Sequence, residues 1–288
     1  MAAAIRLLPD KQCASDPIPT SLLKDCADVI TPFLVELYNK SLQTGSVPAL
    51  FKAAYITPLL NKSDLDSVRS YRPISNLSVL SKLLERLVAR QLLDHLAVAE
   101  LLPELQSAYR AHHSTETAVL KVLADILSAL DTGDVAVLML LDLSVAFYMV
   151  DHATLLRRLE TSYGIGGSVL KWFTSYLRGC IQSVRCGKFA SDASAVLCGV
   201  PQGSVLGPIL FLLYTADLLR LAERQSAATH VRRRYADLWL LPSSSSCSAP
   251  GASVCMYRRP GCVDAVEPAP AEHCKDRSYL VRIESTAA

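Results

Sequence analysis

Apolar positions recur at helical spacing through most of the chain, and a few short runs break that rhythm. Over Thr20–Gly45, Leu22, Leu23, Cys26, Ile30, Phe33 and Leu37 predict one amphipathic helix. Pro32 is expected to kink or split it, and Gly45 to stop it. Ala53–Leu60 reads as a short strand. Leu80–Leu96 predicts a strongly apolar helix with Lys82, Glu85, Arg86 and Arg90 on its wet side. Ser114 is a good N-cap for a helix marked by Val119, Val122, Leu123, Ile126, Leu127 and Leu130 and closed by Gly133. Val135–Leu141 is different: seven apolar residues without a gap, after the turn-like Asp131-Thr132-Gly133-Asp134. Such a run reads as a strand buried on both faces.

Two further helices follow. Leu155, Leu156, Leu159 and Tyr163 mark one; Val169, Trp172, Phe173, Tyr176 and Leu177 mark the other, ended by Gly179. The aromatic stripe of the second reads as core sooner than as a base-stacking platform. Gln182–Arg185 and Ala195–Leu197 suggest a hairpin, and Leu206–Leu221 a further apolar helix with Pro208 tolerated in its first turn. Residues 1–15 show no clear period. From Pro242 onward the chain is rich in Ser, Pro and Ala, without periodicity, and predicts a disordered tail.

Composition narrows the class. Hydrophobic residues make up 51% and charged residues 19%, enough to bury a sizeable core. A net charge of +2 does not by itself point to nucleic acid, so such a partner must rest on motifs. The nine cysteines are scattered with no CxxC pair, which indicates neither a disulfide framework nor a zinc site and suits a reducing, intracellular compartment. Met1–Lys11 lacks a proper apolar core and cleavage site, so no signal peptide is expected there. Residues 193–216 carry no charge, yet Gly199, Pro201, Gln202, Gly203, Gly207 and Pro208 interrupt them, so no membrane helix is expected.

Chemistry concentrates in a few places. Asp142 ends the buried run, where a carboxylate costs several kcal/mol in desolvation unless a cation or donor meets it. A lone Asp there is more often a helix cap or a salt-bridged core residue. Gly199–Pro208 (GVPQGSVLGP) and Tyr235-Ala236-Asp237 change that balance. Arg72 and Arg110 are basic candidates for a phosphate path, with a surface salt bridge as the plainer reading of Arg72. His112 and His113 read as solvated, with no partner at ligand spacing.

Taken in order, DPIPTSLLK, YRPISNLSVLSKLLERL, QSAYRAHHSTETA, LDLSVAF, LKWFTSYLRG, GVPQGSVLGPILF and YAD resemble the reverse transcriptases of non-LTR (LINE-type) retrotransposons, from about Asp16 to about Leu241. The resemblance implies an α+β right-hand polymerase fragment, with a central antiparallel sheet flanked by helices. It implies a loose N-terminal fragment over 1–15, a fingers-like region over 16–134, a palm-like region over 135–241, the tail over 242–288, and no recognisable thumb. No endonuclease segment precedes Asp16, so target-site cutting is expected to be absent. The implied activity is DNA synthesis from an RNA template on a DNA primer, using deoxynucleoside triphosphates and two Mg²⁺ ions about 3.5–4 Å apart.

By the same resemblance Asp142 and Asp237 hold the metal, joined by the backbone carbonyl of Leu143. Arg72 contacts the triphosphate, and Arg110 lies on the template or nucleotide path. Phe147 lies under the sugar and excludes a 2′ hydroxyl, although a core Phe is as good a reading of the residue itself. Gln202 and Gly203 support nucleotide and template. Two departures stand out. The family has AFD where this chain has Ala146-Phe147-Tyr148, and YADD where Leu238 follows Asp237. Arg232, Arg233 and Arg234 also replace an apolar strand. These departures imply a weak or inactive copy. The alternatives are a nucleic-acid-binding remnant without catalysis, or an unstable product with no function.

Overall fold

The computed structural model describes residues 1–10, 16, 18–60, 70–103, 106–133, 136–141, 146–228 and 252–257. The chain divides into two units. One comprises residues 1–101 and 145–214, the other residues 102–144 and 215–288.

The first unit is built on a five-stranded sheet. In it β1 (Ala53–Leu60) lies between β2 (Tyr71–Asn76) and β4 (Ile181–Cys186), and the short β5 (Phe189–Ala190) and β6 (Ser194–Ala195) both pair with β4. β1 runs antiparallel to β2, with Leu59 opposite Arg72 and Ile56 opposite Ser75. It runs parallel to β4, with Ala53 opposite Ile181 and Ile56 opposite Val184. The sheet is therefore mixed, not antiparallel as expected. Parallel neighbours need a long crossover, and the helices between β1 and β4 supply it. Pro58 and Pro73 face each other across β1 and β2. Proline donates no ladder hydrogen bond, and both positions tolerate this: β2 is an edge strand, and Pro58 lies beyond the β1–β4 register.

The N-terminal helices pack against one another. α1 (Ala2–Arg6) is followed by α2 (Thr20–Asp25) and α3 (Ala27–Thr44), which ends before Gly45. The single helix expected over Thr20–Gly45 breaks at Cys26, whose φ and ψ are −93° and 13°, while Pro32 sits inside a continuous α3. A proline in the second turn removes one donor, that to the Asp28 carbonyl, which is a smaller loss than a broken helix. The break resets the helical phase. The buried face is Leu23, Ala27, Leu34 and Tyr38, whereas Phe33 and Leu22 are exposed.

Two hydrogen bonds fix α3 in place: the Tyr38 hydroxyl donates to the Leu80 carbonyl (2.9 Å), and the buried Trp172 indole donates to Ser41 Oγ (3.1 Å). α4 (Val79–Val98) starts at Ser78, whose side chain accepts from the Ser81 amide. α6 (His152–Thr161) starts at Asp151, which caps the Thr154 amide at 2.7 Å. α7 (Gly167–Leu177) supplies Trp172, Phe173, Tyr176 and Leu177, all buried, so the aromatic stripe is core. Each such side chain contributes about 1.5–3 kcal/mol by leaving water. α8 (Leu206–Ala228) adds Leu206 and Leu210, both fully buried.

In the second unit α5 (Thr115–Asp131) opens with a reciprocal cap between Ser114 and Thr117. It buries Val122, Ile126 and Ala129 beside Leu130 and Leu138 of β3 (Ala136–Leu141). Val119, Leu123 and Leu127 of the predicted stripe face outward. β3 pairs antiparallel with β7 (Ala252–Tyr257), Ala136 opposite Tyr257 and Leu141 opposite Ala252. β7 lies in the stretch expected to be a disordered tail; its local sequence Ala-Ser-Val-Cys-Met-Tyr alternates enough to form a strand once β3 offers an edge. Among the described residues no helix is long and apolar enough to cross a membrane.

Candidate functional site

Three of the motif blocks meet in the first unit. The short helical turn Ala146–Tyr148 is followed by an extended segment that lies against Gly199 and Val200. The Gly199 amide donates to the Val150 carbonyl (2.8 Å), and the Val200 amide to the Phe147 carbonyl (2.7 Å). A Cβ at Gly199 would fall 2.8 Å from the Tyr148 Cα, so the two backbones touch as only glycine permits. His152 Nε2 donates to the Gly199 carbonyl at 2.7 Å, which fixes its proton on that nitrogen, because a carbonyl only accepts.

The turn Pro201–Ser204 then docks on β2. The Ser75 amide donates to the Gln202 carbonyl at 2.7 Å. Gly203 has a φ of 115°, and a Cβ there would meet the Ser75 carbonyl at 2.6 Å. The close backbone approach that a glycine permits is made here to β2. Ser204 completes the turn: its hydroxyl donates to the Pro201 carbonyl (2.8 Å) and accepts from the Gly207 amide (2.9 Å), which caps α8.

Tyr148 joins the third block. Its hydroxyl lies 2.5 Å from the Pro73 carbonyl and 3.2 Å from the side-chain oxygen of Gln202. Burial pushes its pKa up to about 12. Phe147 is half-buried, its ring 5.1 Å from that of Phe211 on α8 and tilted 41° to it. The ring is therefore packed on one side, which suits both of its readings. Arg72 is half-buried on β2, shares the strand face of Ile74, and has no carboxylate partner among the described residues. The Ile74 side chain lies 3.7 Å from where a Gly203 Cβ would stand. A guanidinium so placed can take phosphate oxygens bidentately.

The other site residues lie elsewhere. Arg110, in the second unit, donates to the Pro103 and Gln106 carbonyls of its own loop at 3.4 and 3.5 Å. Asp142, Leu143 and Asp237 lie outside the described residues, although β3 ends at Leu141, immediately before Asp142. Among the described residues no group of three His, Cys, Asp or Glu side chains could hold a metal ion.

The sequence pattern puts Glu85 on the wet side of α4, and the structure corrects this. Glu85 is 1% exposed, and its Oε2 accepts from the Val205 and Leu206 amides (2.6 and 3.1 Å) at the start of α8. Desolvation raises its pKa, opposed by those two amides, the Tyr176 phenol and Lys82. Glu85 Oε1 and Tyr176 Oη are buried without a hydrogen bond, yet lie close enough to perturb each other. The partial positive charge at the α8 N-terminus makes this a suitable place for a distant carboxylate.

The family described as "Reverse transcriptase (RNA-dependent DNA polymerase)" matches residues 60–257. The chain belongs to the reverse transcriptase family, whose members are nucleotidyltransferases that use divalent metal ions. Within it, the chain falls with the non-LTR, LINE-type retrotransposons. It is 34% identical, over 85% of its length, to a probable RNA-directed DNA polymerase from transposon BS of Drosophila melanogaster, and covers 27% of that protein. It is 31% identical, over 84% of its length, to the RNA-directed DNA polymerase from mobile element jockey of Drosophila funebris, and covers 26% of it. A third relative, the probable polymerase from transposon X-element of Drosophila melanogaster, is 37% identical over 74% of the chain, which covers 24% of it. The chain spans about a quarter of the length of these relatives.

Proposed function

We propose that this chain is the fingers and palm portion of an RNA-directed DNA polymerase, in a copy that binds its substrates but extends a primer weakly or not at all. The observation that carries the reading is the union of three separate sequence blocks in one patch: Pro73 and Ser75 on β2, Phe147 and Tyr148, and Gln202 with Gly203. In this reading Arg72 takes triphosphate oxygens, the Phe147 ring lies under the sugar, and the Gln202–Gly203 turn supports the template base. Arg110 organises a loop along the template path.

The carboxylates of Asp142 and Asp237 and the carbonyl of Leu143 are hard-oxygen donors of the kind Mg²⁺ takes, and in this reading they would hold it. When bound, two such ions supply activation of the primer hydroxyl and neutralisation of the triphosphate. Leu238, beside Asp237, gives no hydrogen bond to orient the metal's surroundings, and Arg232, Arg233 and Arg234 add positive charge nearby in sequence. Both weaken metal binding.

The test is primer extension by the purified chain on an RNA template, run beside a binding titration with the same RNA–DNA hybrid. The expected result is measurable, salt-sensitive hybrid binding with little or no extension. Absence of hybrid binding by a chain that melts cooperatively would overturn the proposal. Binding retained with no extension even after Leu238→Asp would favour the non-catalytic remnant.

A further inference from the structure

Tyr148 stands where the resembling sequences carry an acid, and its hydroxyl is not idle. It lies between a backbone carbonyl that belongs to β2 and the side chain of Gln202. A phenol has one proton to give and two lone pairs with which to accept. The Pro73 carbonyl can only accept, and at 2.5 Å it is the nearer of the two neighbours. It therefore takes the proton. What remains to the phenol oxygen is acceptor capacity, and the group it meets next is the amide end of Gln202 at 3.2 Å.

Two oxygens facing each other without a proton between them repel. A half-turn of the amide replaces its oxygen with its nearly isosteric nitrogen, which has hydrogens to donate. Burial keeps the phenol neutral through the physiological range, so this arrangement does not depend on pH there.

We propose that Tyr148 is a positioning residue: it holds the Gln202 amide with its nitrogen on the phenol oxygen, so that Gln202 presents its own oxygen to whatever occupies the site. Gln202 is then an acceptor and selects a donor, such as a ribose hydroxyl or a base amino group. The consequence for substrates rests on the reading that the Pro201–Ser204 turn faces the template. The orientation of the amide does not.

The experiment uses the whole chain with glutamine side chains labelled with nitrogen-15, the Gln202 signal being identified by its loss in Gln202→Glu. In the unmutated chain without ligand, exchange of one Gln202 amide hydrogen is slowed roughly two- to tenfold relative to the exposed glutamines, the equilibrium weight of one neutral hydrogen bond. Tyr148→Phe keeps the ring and its packing but removes the hydroxyl, and abolishes that protection. An unprotected Gln202 amide in the unmutated chain overturns the proposal, and so does protection that survives Tyr148→Phe.

A second arm compares binding of an RNA–DNA hybrid with that of an all-DNA duplex of the same sequence. If the donor is a ribose hydroxyl, Tyr148→Phe lowers the preference for the hybrid by a similar factor. If it is a base amino group, both affinities fall together. If neither affinity changes while the amide is freed, the positioning role stands and the placement of the turn against the template is overturned.

Discussion

The Ser75 amide and the Gln202 carbonyl meet at 2.7 Å, and this bond joins an edge strand to a turn far along the chain. It exists because Gly203 follows. Any side chain on that residue would strike the Ser75 carbonyl, and its φ of 115° disfavours one in any case. Elsewhere Gly→Ala can stabilise by about 0.4–1 kcal/mol through the unfolded chain. Here strain wins. Gly203→Ala is expected to destabilise the first unit by about 1–3 kcal/mol and to speed hydrogen exchange at the Ser75 amide. Unchanged exchange there would show that β2 and the turn are not held by this bond.

Glu85 makes stability depend on pH. Its pKa is raised in the folded chain, chiefly by burial. An unfolded glutamate ionises near about pH 4.3. As pH rises above that value the unfolded chain releases this proton while the folded chain retains it, so the contribution of Glu85 is full below that point and declines until the buried carboxyl also ionises. Glu85→Gln keeps an acceptor for the Val205 and Leu206 amides and should remove this decline, making the variant relatively more stable near neutrality. Glu85→Ala orphans both amides and should cost about 1–3 kcal/mol. Urea denaturation of the three proteins across that pH range decides the matter; parallel curves for the unmutated chain and the Glu85→Gln variant would contradict it.

Phe147 and Phe211 offer a clean double-mutant cycle. An aromatic pair at this distance and tilt is worth about 0.5–1.5 kcal/mol beyond simple burial. Phe147→Leu and Phe211→Leu should therefore couple by that amount in thermal unfolding. If Phe147 also acts under the sugar, Phe147→Ala narrows the difference in affinity between deoxy- and ribonucleoside triphosphates. Coupling without that narrowing would leave Phe147 a packing residue only.

Metal binding can be probed at Leu238 without relying on synthesis. Restoring an acid beside Asp237 adds negative charge and a group that can orient metal-bound water. Such support is typically worth about 10–100-fold in affinity. Leu238→Asp should tighten Mg²⁺ binding within that range by calorimetry. Affinity that stays level or falls would mean that Tyr235–Asp237 takes no part in a metal site.

Much of the fold is legible in the sequence because local pattern decides it. Ala53–Leu60 forms β1 over the predicted residues, and Ser114 caps α5 as its hydroxyl suggests. What escapes is set by phase and by partners. The faces of α2 and α3 depend on a break at Cys26 that no breaker residue announces. Glu85 is misread when its charge is weighed above its position. It is four residues after Ser81 and seven before Leu92, both buried, so helical spacing alone puts it on the inner stripe.

In the site, the blocks containing Phe147, Gln202 and Gly203 are found from the motifs. Tyr148 reads in the sequence only as a lost acid, since nothing local tells a reader that a phenol can reach β2. The parallel pairing of β1 with β4 is equally hidden, because strand direction is fixed by the crossover and not by either strand.

That pairing bears on how the chain is made. β1 emerges from the ribosome early, but its partner β4 does not exist until Ile181–Cys186 have been synthesised. Contacts between residues so far apart in sequence close late and slow the search for the native state. Throughout that interval one side of β1 is an unpaired strand edge, of the kind that recruits strands from other molecules. Products of premature termination between β1 and β4 would keep that edge permanently. The early strand is thus a source of aggregation in every copy of the chain cut short before Ile181.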